Sequence, residues 1–233
     1  MKGQIISHIE LDGNMQMSID TFLLKQSFLE SNFEISARFY SWKGNWISIG
    51  RNQKTIPDKW HVLAKKKRIE IVRRPTGGNA VLHSGGITYS LIWKHPPKRK
   101  KEAYIQASQW LINGFSKLGI TLKFGSQKSN TSLANCFARS TAADLIDSNG
   151  AKRVGSAQLW QKGHLLQHGE ILLHPPEKLW VEIFEVNPPK IIPIQLSHRQ
   201  IESILSKELI SNWSGLKWNE TSINEKFLST LSY

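Results

Sequence analysis

Apolar positions along the chain fall into two spacings, and the switch between them marks out the elements. Residues 4–11 (QIISHIEL) alternate loosely and predict a strand. Residues 15–30 then place Met15, Ile19, Phe22, Leu23, Phe28 and Leu29 at helical spacing. Two short β-rich runs, 38–40 and 46–49, flank Lys43-Gly44-Asn45, which reads as a turn. A helix is predicted over 57–67, with Pro57 near its start and lysines at its end, where the helix dipole favours cations. Strands follow at 69–73, 80–83 and 87–93. The clearest long helix is 102–118, with Gly119 as its stop. Further strands are expected at 120–124, 142–147, 152–159 and 164–173. The remainder reads as helical over 177–185, 197–210 and 219–230, with Pro188, Pro189 and Pro193 separating the first two.

Strands and helices are interspersed, and hairpin-like turns such as Ser148-Asn149-Gly150 argue against a purely parallel sheet. The expected class is α+β, a mixed-sheet domain with flanking helices. No internal repeat or low-complexity linker divides the 233 residues, a length that suits one large domain. The expected layout is a single domain over 1–233, with a core over about 5–185 and a helical tail over 186–233. Hydrophobic residues make up 39%, including nine Trp, which is enough for a packed core. No apolar run is long enough for a membrane-spanning helix, and the first residues contain no sustained apolar segment of the secretory kind. The expected location is the cytoplasm. With one cysteine, Cys136, an intramolecular disulfide is impossible. The formal charge of +13 favours an anionic partner. Its basic runs are short and scattered and carry no nucleic-acid-binding signature, so nucleic acid is not the expected partner.

Three segments carry candidate chemistry. In 73–90 (RRPTGGNAVLHSGGITYS), Gly77-Gly78 lie between two strands and demand unusual backbone angles or close backbone approach. Backbone N–H groups beside Arg73 and Arg74 suit a phosphate or carboxylate cradle, and a glycine hairpin with a charged base fits equally well. The pattern is neither a Walker A loop nor a dinucleotide fingerprint. In 150–173, a hairpin turning near Gln161-Lys162-Gly163 carries Gly155, Ser156 and Ala157, whose small side chains let a ligand lie against the strand. Lys152 precedes them, and a lone lysine of this kind is ordinarily a solvated side chain. Cys136 sits in a loop-like stretch, where a thiol near a cation is shifted toward thiolate; a small buried hydrophobe is the alternative.

Together these segments resemble the lipoate/octanoate branch of the biotin–lipoate protein ligase superfamily. Arg73 to His83 resembles its signature loop, and Arg38-Phe39-Tyr40-Ser41-Trp42 with Ser48-Ile49-Gly50 and Gln53 its upstream motif. Lys152 to Gln158 resembles its Lys-x-x-Gly-Ser-Ala-Gln motif, and Gln167 to Leu173 its closing strand. The motifs occur in family order. Ser84 follows His83 where Asp is usual in the family, and Asn79 stands where Gly or Arg is frequent.

The resemblance implies a class II synthetase-like catalytic fold. Within the superfamily, the segment from Cys136 to Gly169 is similar to the cysteine-dependent octanoyltransferases. That similarity implies octanoyl transfer from acyl carrier protein to a lysine of a lipoyl carrier domain, such as glycine cleavage H protein or a 2-oxoacid dehydrogenase subunit, with no cofactor. Cys136 would carry the acyl thioester and Lys152 would lower its pKa. Arg74, Gly77, Gly78, Asn79, Ala80, Val81, Leu82 and His83 would bind substrate, together with Gly155, Ser156, Ala157 and His168. One alternative is a lipoate ligase that uses ATP and Mg2+ to form an acyl-adenylate, with Cys136 incidental. Another is a non-catalytic acyl- or nucleic-acid-binding relative.

Overall fold

The computed structural model describes residues 1–29, 32–125, 137, 143–229 and 231. Cys136 lies outside the described residues. The chain runs β1 (Lys2–Leu11), α1 (Gly13–Ser27), β2 (Phe33–Trp42), β3 (Trp46–Ile49), α2 (Asp58–Lys65), β4 (Glu70–Arg73), β5 (Val81–His83) and β6 (Gly86–Trp93). It continues through α3 (Lys100–Lys117), β7 (Lys123–Phe124), β8 (Leu145–Ile146), β9 (Lys152–Gln161) and β10 (His164–Leu172). The last elements are α4 (Glu177–Phe184), α5 (His198–Asn212), β11 (Lys217–Thr221) and α6 (Glu225–Ser229). No helix among these residues is long and apolar enough to cross a membrane.

The α+β class stands, with a large mixed sheet flanked by helices. That sheet has the order β11-β1-β2-β6-β10-β9-β8-β7, and β4-β3-β5 form a second, three-stranded sheet that the sequence pattern did not separate. One face of the large sheet packs on α3 and α5 through Phe39, Tyr89, Trp110, Phe115 and Leu205. The small sheet shares a second core with α2 and α4, built from Ile47, Trp60, Leu82 and Trp180. Trp60 Nε1 donates to the carbonyl of Ile183 at 3.0 Å, tying α2 to α4.

Local chemistry accounts for several boundaries. Asp12 caps α1 by accepting from the Met15 amide at 2.9 Å, so the helix begins before Met15. Lys162 and Gly163 take φ of 51° and 84°, the positive pair that a two-residue β9–β10 hairpin requires. A helix over 219–230 is not what forms. Lys217–Thr221 become β11, parallel to β1 in the register Lys2↔Lys217, and among the described residues of that stretch only Glu225–Ser229 are helical. Pairing with a distant strand overrides local periodicity there.

Candidate acyl-binding site

The site lies on the other face of the large sheet, beneath α1 and the small sheet. Two cross-strand rows define it. Tyr40, Thr88, Glu170 and Gly155 form one, and Arg38, Ser90, His168 and Ala157 the other. Alternation along β2, β6 and β10 thus turns polar groups to one face and apolar groups to the core. Gln16 and Asp20, one helical turn apart on α1, descend onto these rows, and both are fully buried.

Two buried polar clusters result. In the first, Asp20 Oδ1 accepts from Arg38 Nε and Nη2 at 3.0 and 2.7 Å, and its Oδ2 accepts from Tyr40 at 3.1 Å. His168 joins Asp20 at 2.8 Å through Nδ1 and Thr76 at 2.7 Å through Nε2. Burial raises the Asp20 pKa, yet the Arg38 charge and the His168 contact outweigh it and hold the carboxyl at about 2. Burial, reinforced by Asp20, pushes the Tyr40 hydroxyl well above its usual range. In the second cluster, His83 Nδ1 pairs with Glu170 at 2.7 Å and its Nε2 lies 2.8 Å from Ser48 Oγ. The Trp42 ring stacks on His83 at 3.9 Å. Burial outweighs the Glu170 charge and lowers the His83 pKa, which favours the neutral ring.

Between the clusters lies a narrow cavity of about 60 Å³. Arg74, Gly77, Gly78, Val81 and His83 line it, as do Gly155, Ser156, Ala157 and His168 from the opposite wall. Met17, Tyr40, Trp42, Ser48, Thr88, Gly169 and Glu170 complete it and were not among the expected site residues. Asn79, Ala80 and Leu82 do not line this cavity. Ala80 and Leu82 are fully buried in the second core, and the Asn79 carbonyl accepts from Arg74 at 2.8 Å.

The two arginines expected to flank an anion are occupied with backbone carbonyls. Arg73 Nη1 donates to those of Gly50 and Gln53, each at 2.8 Å. Arg74 donates to the carbonyls of Ser48 at 2.8 Å and Gly77 at 2.7 Å. They shape the loop around Gly77–Gly78. The loop itself packs tightly, because a Cβ at Gly50 would fall 1.8 Å from the Gly78 carbonyl oxygen.

Lys152 lies beside the small-residue wall. Its ammonium is 2.9 Å from Asp144 and 4.8 Å from the centre of the Phe137 ring, and the side chain is 3% exposed. A Cβ at Gly155 would lie 2.9 Å from Lys152 Cε and 3.1 Å from Phe137 Cζ, so the absent side chain makes room for both. Ser156 is fixed from behind. Its Oγ is 2.8 Å from the Tyr89 hydroxyl, which accepts from Gln167 at 2.9 Å, and Gln158 holds Gln167 at 2.8 Å. Burial pushes the Tyr89 pKa to about 12, so the hydroxyl stays protonated. Among the described residues, no group of three His, Cys, Asp or Glu side chains could hold a metal ion.

The overlooked residues left a signal in the sequence. Polar side chains recur at every second position inside apolar strands, as Arg38/Tyr40, Thr88/Ser90 and His168/Glu170. That spacing marks one strand face as a polar site instead of a solvated surface.

The chain is similar to several known proteins. Octanoyltransferase LipM of Anoxybacillus flavithermus is 38% identical over 181 residues, covering 72% of this chain and 64% of its own length. The protein of the same name from Geobacillus kaustophilus is 37% identical over the same shares of the two chains. The chain thus spans just under two thirds of the length of these relatives. The fold matches a lipoate protein ligase of T. acidophilum solved with bound lipoic acid, at a TM-score of 0.79 and 18% identity, over 99% of this chain and 93% of that one. Residues 12–207 match the lipoyl protein ligase A/B catalytic domain, and the chain belongs to that family.

Proposed function

We propose that this chain is an acyltransferase of protein lipoylation, acting in the cytoplasm as one catalytic domain over 1–233. It moves an octanoyl group from acyl carrier protein to a lysine of a lipoyl carrier domain by way of a thioester on Cys136. The observation that carries this reading is the buried Lys152 ammonium. It sits beside the narrow cavity and against the ring of Phe137, the residue that follows Cys136 in sequence. The octanoyltransferases to which the chain is more than a third identical support the same reading.

In the loading step, Cys136 sulfur bonds to the octanoyl carbon and the bond to the carrier thiol breaks. Lys152 stabilises the Cys136 thiolate, and the thiol proton leaves on the carrier thiol. In the second step, the lipoyl-domain amine attacks, the Cys136 thioester breaks and an amide forms, with the amine proton returning to sulfur. The exchange of one thioester for another is nearly balanced and amide formation is downhill, so no ATP or other cofactor is required. The acyl chain occupies the cavity between Gly77–Gly78 and Gly155–Ala157, with Arg74, Asn79, Ala80, Val81, Leu82, His83 and His168 shaping its walls or their support. Loop amide N–H groups donate to the oxyanion of the tetrahedral intermediate.

The test is intact-protein mass after mixing with octanoyl-acyl carrier protein without ATP. The expected result is an adduct of about 126 Da that hydroxylamine removes and that Cys136→Ala lacks. ATP-dependent modification of a lipoyl domain that survives Cys136→Ala would instead assign the chain to the ligases.

A further inference from the structure

A continuous run of buried hydrogen bonds leads from the middle of the large sheet to the glycine loop. It begins at Glu170, 2% exposed, whose carboxylate accepts from Thr88 Oγ1 and pairs with His83 Nδ1 at 2.7 Å. The Trp42 ring stacks on His83 with its plane tilted by 16°, and Trp42 Nε1 donates to Thr88 Oγ1 at 2.7 Å, so the imidazole cannot turn freely. His83 Nε2 meets Ser48 Oγ at 2.8 Å. Arg74 Nη1 donates to Ser48 Oγ at 3.2 Å and to the Ser48 carbonyl at 2.8 Å. Its Nη2 donates to the carbonyls of Gly77 and Asn79 at 2.7 and 2.8 Å.

The direction of each bond follows from its ends. A neutral imidazole that gives its Nδ1 hydrogen to a carboxylate has only a lone pair at Nε2. Ser48 must therefore donate to His83, which turns the lone pairs of Ser48 Oγ toward Arg74. At the far end, a trans peptide points its C=O and N–H in opposite directions. With the Gly77 carbonyl drawn onto Arg74, the Gly78 N–H points away from the guanidinium. Gly78 has φ of 93°, which a side chain would strain. Among the described residues, neither the Gly77 nor the Gly78 N–H has an acceptor.

We propose that Glu170, His83 and Ser48 are positioning residues. Acting through Arg74, they hold the Gly78 amide in the orientation that receives the oxyanion of acyl transfer. The assignment rests on the transfer reading above. It gives Glu170 and Ser48 roles in the reaction although neither was expected from the sequence, and it moves His83 from substrate contact to support.

The experiment uses the full chain and the variants Ser48→Ala, Glu170→Ala and Glu170→Gln. Transfer from octanoyl-acyl carrier protein to a lipoyl domain is followed alongside amide hydrogen exchange. The diagnostic amide is that of Arg51, which donates to the Thr76 carbonyl in the loop at 2.8 Å. Ser48→Ala and Glu170→Ala are expected to lower kcat about tenfold or more with KM for the lipoyl domain unchanged, as removal of an interaction made only in the transition state requires. Both are expected to speed exchange at Arg51. Glu170→Gln keeps an acceptor oxygen for His83 and is expected to stay within about threefold of wild type. Rates within about twofold of wild type in both alanine variants would overturn the proposal. So would a loss of rate that follows the folded fraction, with exchange raised throughout the chain. Should wild type transfer nothing, the transfer reading fails on its own, and unchanged exchange at Arg51 in the variants would still overturn the relay.

Discussion

Asp20 and Arg38 face each other at 2.7 Å with neither side chain exposed to solvent. Such a pair gives little net stability when intact and costs a great deal when half is removed. Asp20→Asn leaves the Arg38 charge buried without its counter-ion and is expected to destabilise the protein by about 3–5 kcal/mol at pH 7. The pH dependence follows from the carboxyl itself. Its folded pKa of about 2 is below the ordinary 3.8, so its contribution is complete above the unfolded value and is lost as pH falls from about 4 to 2. The amount lost is about 2 kcal/mol, and Asp20→Asn should lack that acid limb. Urea titrations between neutral and acidic pH measure both effects, and a variant as stable as wild type would refute the assignment. The polar periodicity of Arg38/Tyr40 and His168/Glu170 was readable from the chain alone. The contact between Asp20 and His168, 148 positions apart, was not, because spacing along a sequence does not say which strands become neighbours. Nor could spacing show that Arg73 and Arg74 bond to loop carbonyls, since a guanidinium looks the same in sequence whether it meets a ligand or its own loop.

Among elements, strands and helices with strong periodicity were legible to within a few residues. α3 and the β9–β10 hairpin are examples, because their apolar spacing and turn residues agree with their packing. The region after α4 was less so. The helix expected over 197–210 forms as α5, where Ile201, Leu205 and Leu209 are buried, and Leu205 occupies the space left by Gly114 on α3, where a Cβ would lie 2.5 Å from its Cδ2. Leu205→Ala is therefore expected to cost about 2–5 kcal/mol in urea unfolding, the range for emptying a fully buried leucine site. A change within experimental error would mean that α5 is an appendage whose packing does not support the sheet beneath it. The β3 strand presents Ser48 to the cavity and Ile47 and Ile49 to the second core. Its four residues are too few for periodicity to distinguish these faces, which is why Ser48 was not expected in the site.

For the molecule as a whole, charge is the property with the broadest reach. A net +13 attracts anionic partners before any contact forms, and that attraction weakens as salt shortens the Debye length from about 10 Å at 0.1 M. kcat/KM for an acidic lipoyl domain is expected to fall by on the order of 3–10-fold as salt rises from 50 to about 300 mM, with kcat nearly constant. Kinetics at two ionic strengths check this, and a salt-independent kcat/KM would remove electrostatic steering from the account.

The pairing of β1 with β11 also bears on how the chain is made. Lys2–Ile6 lie beside Lys217–Thr221, so a segment that leaves the ribosome early takes one of its neighbours from a segment made much later. β2 covers the other side of β1 early, but the outer side keeps its backbone donors and acceptors bare. Translation of the intervening chain at ordinary speeds takes roughly 10–40 s. For that interval the nascent protein carries an open strand edge, and this is the stage at which a chaperone or a neighbouring nascent chain has the best chance of engaging it.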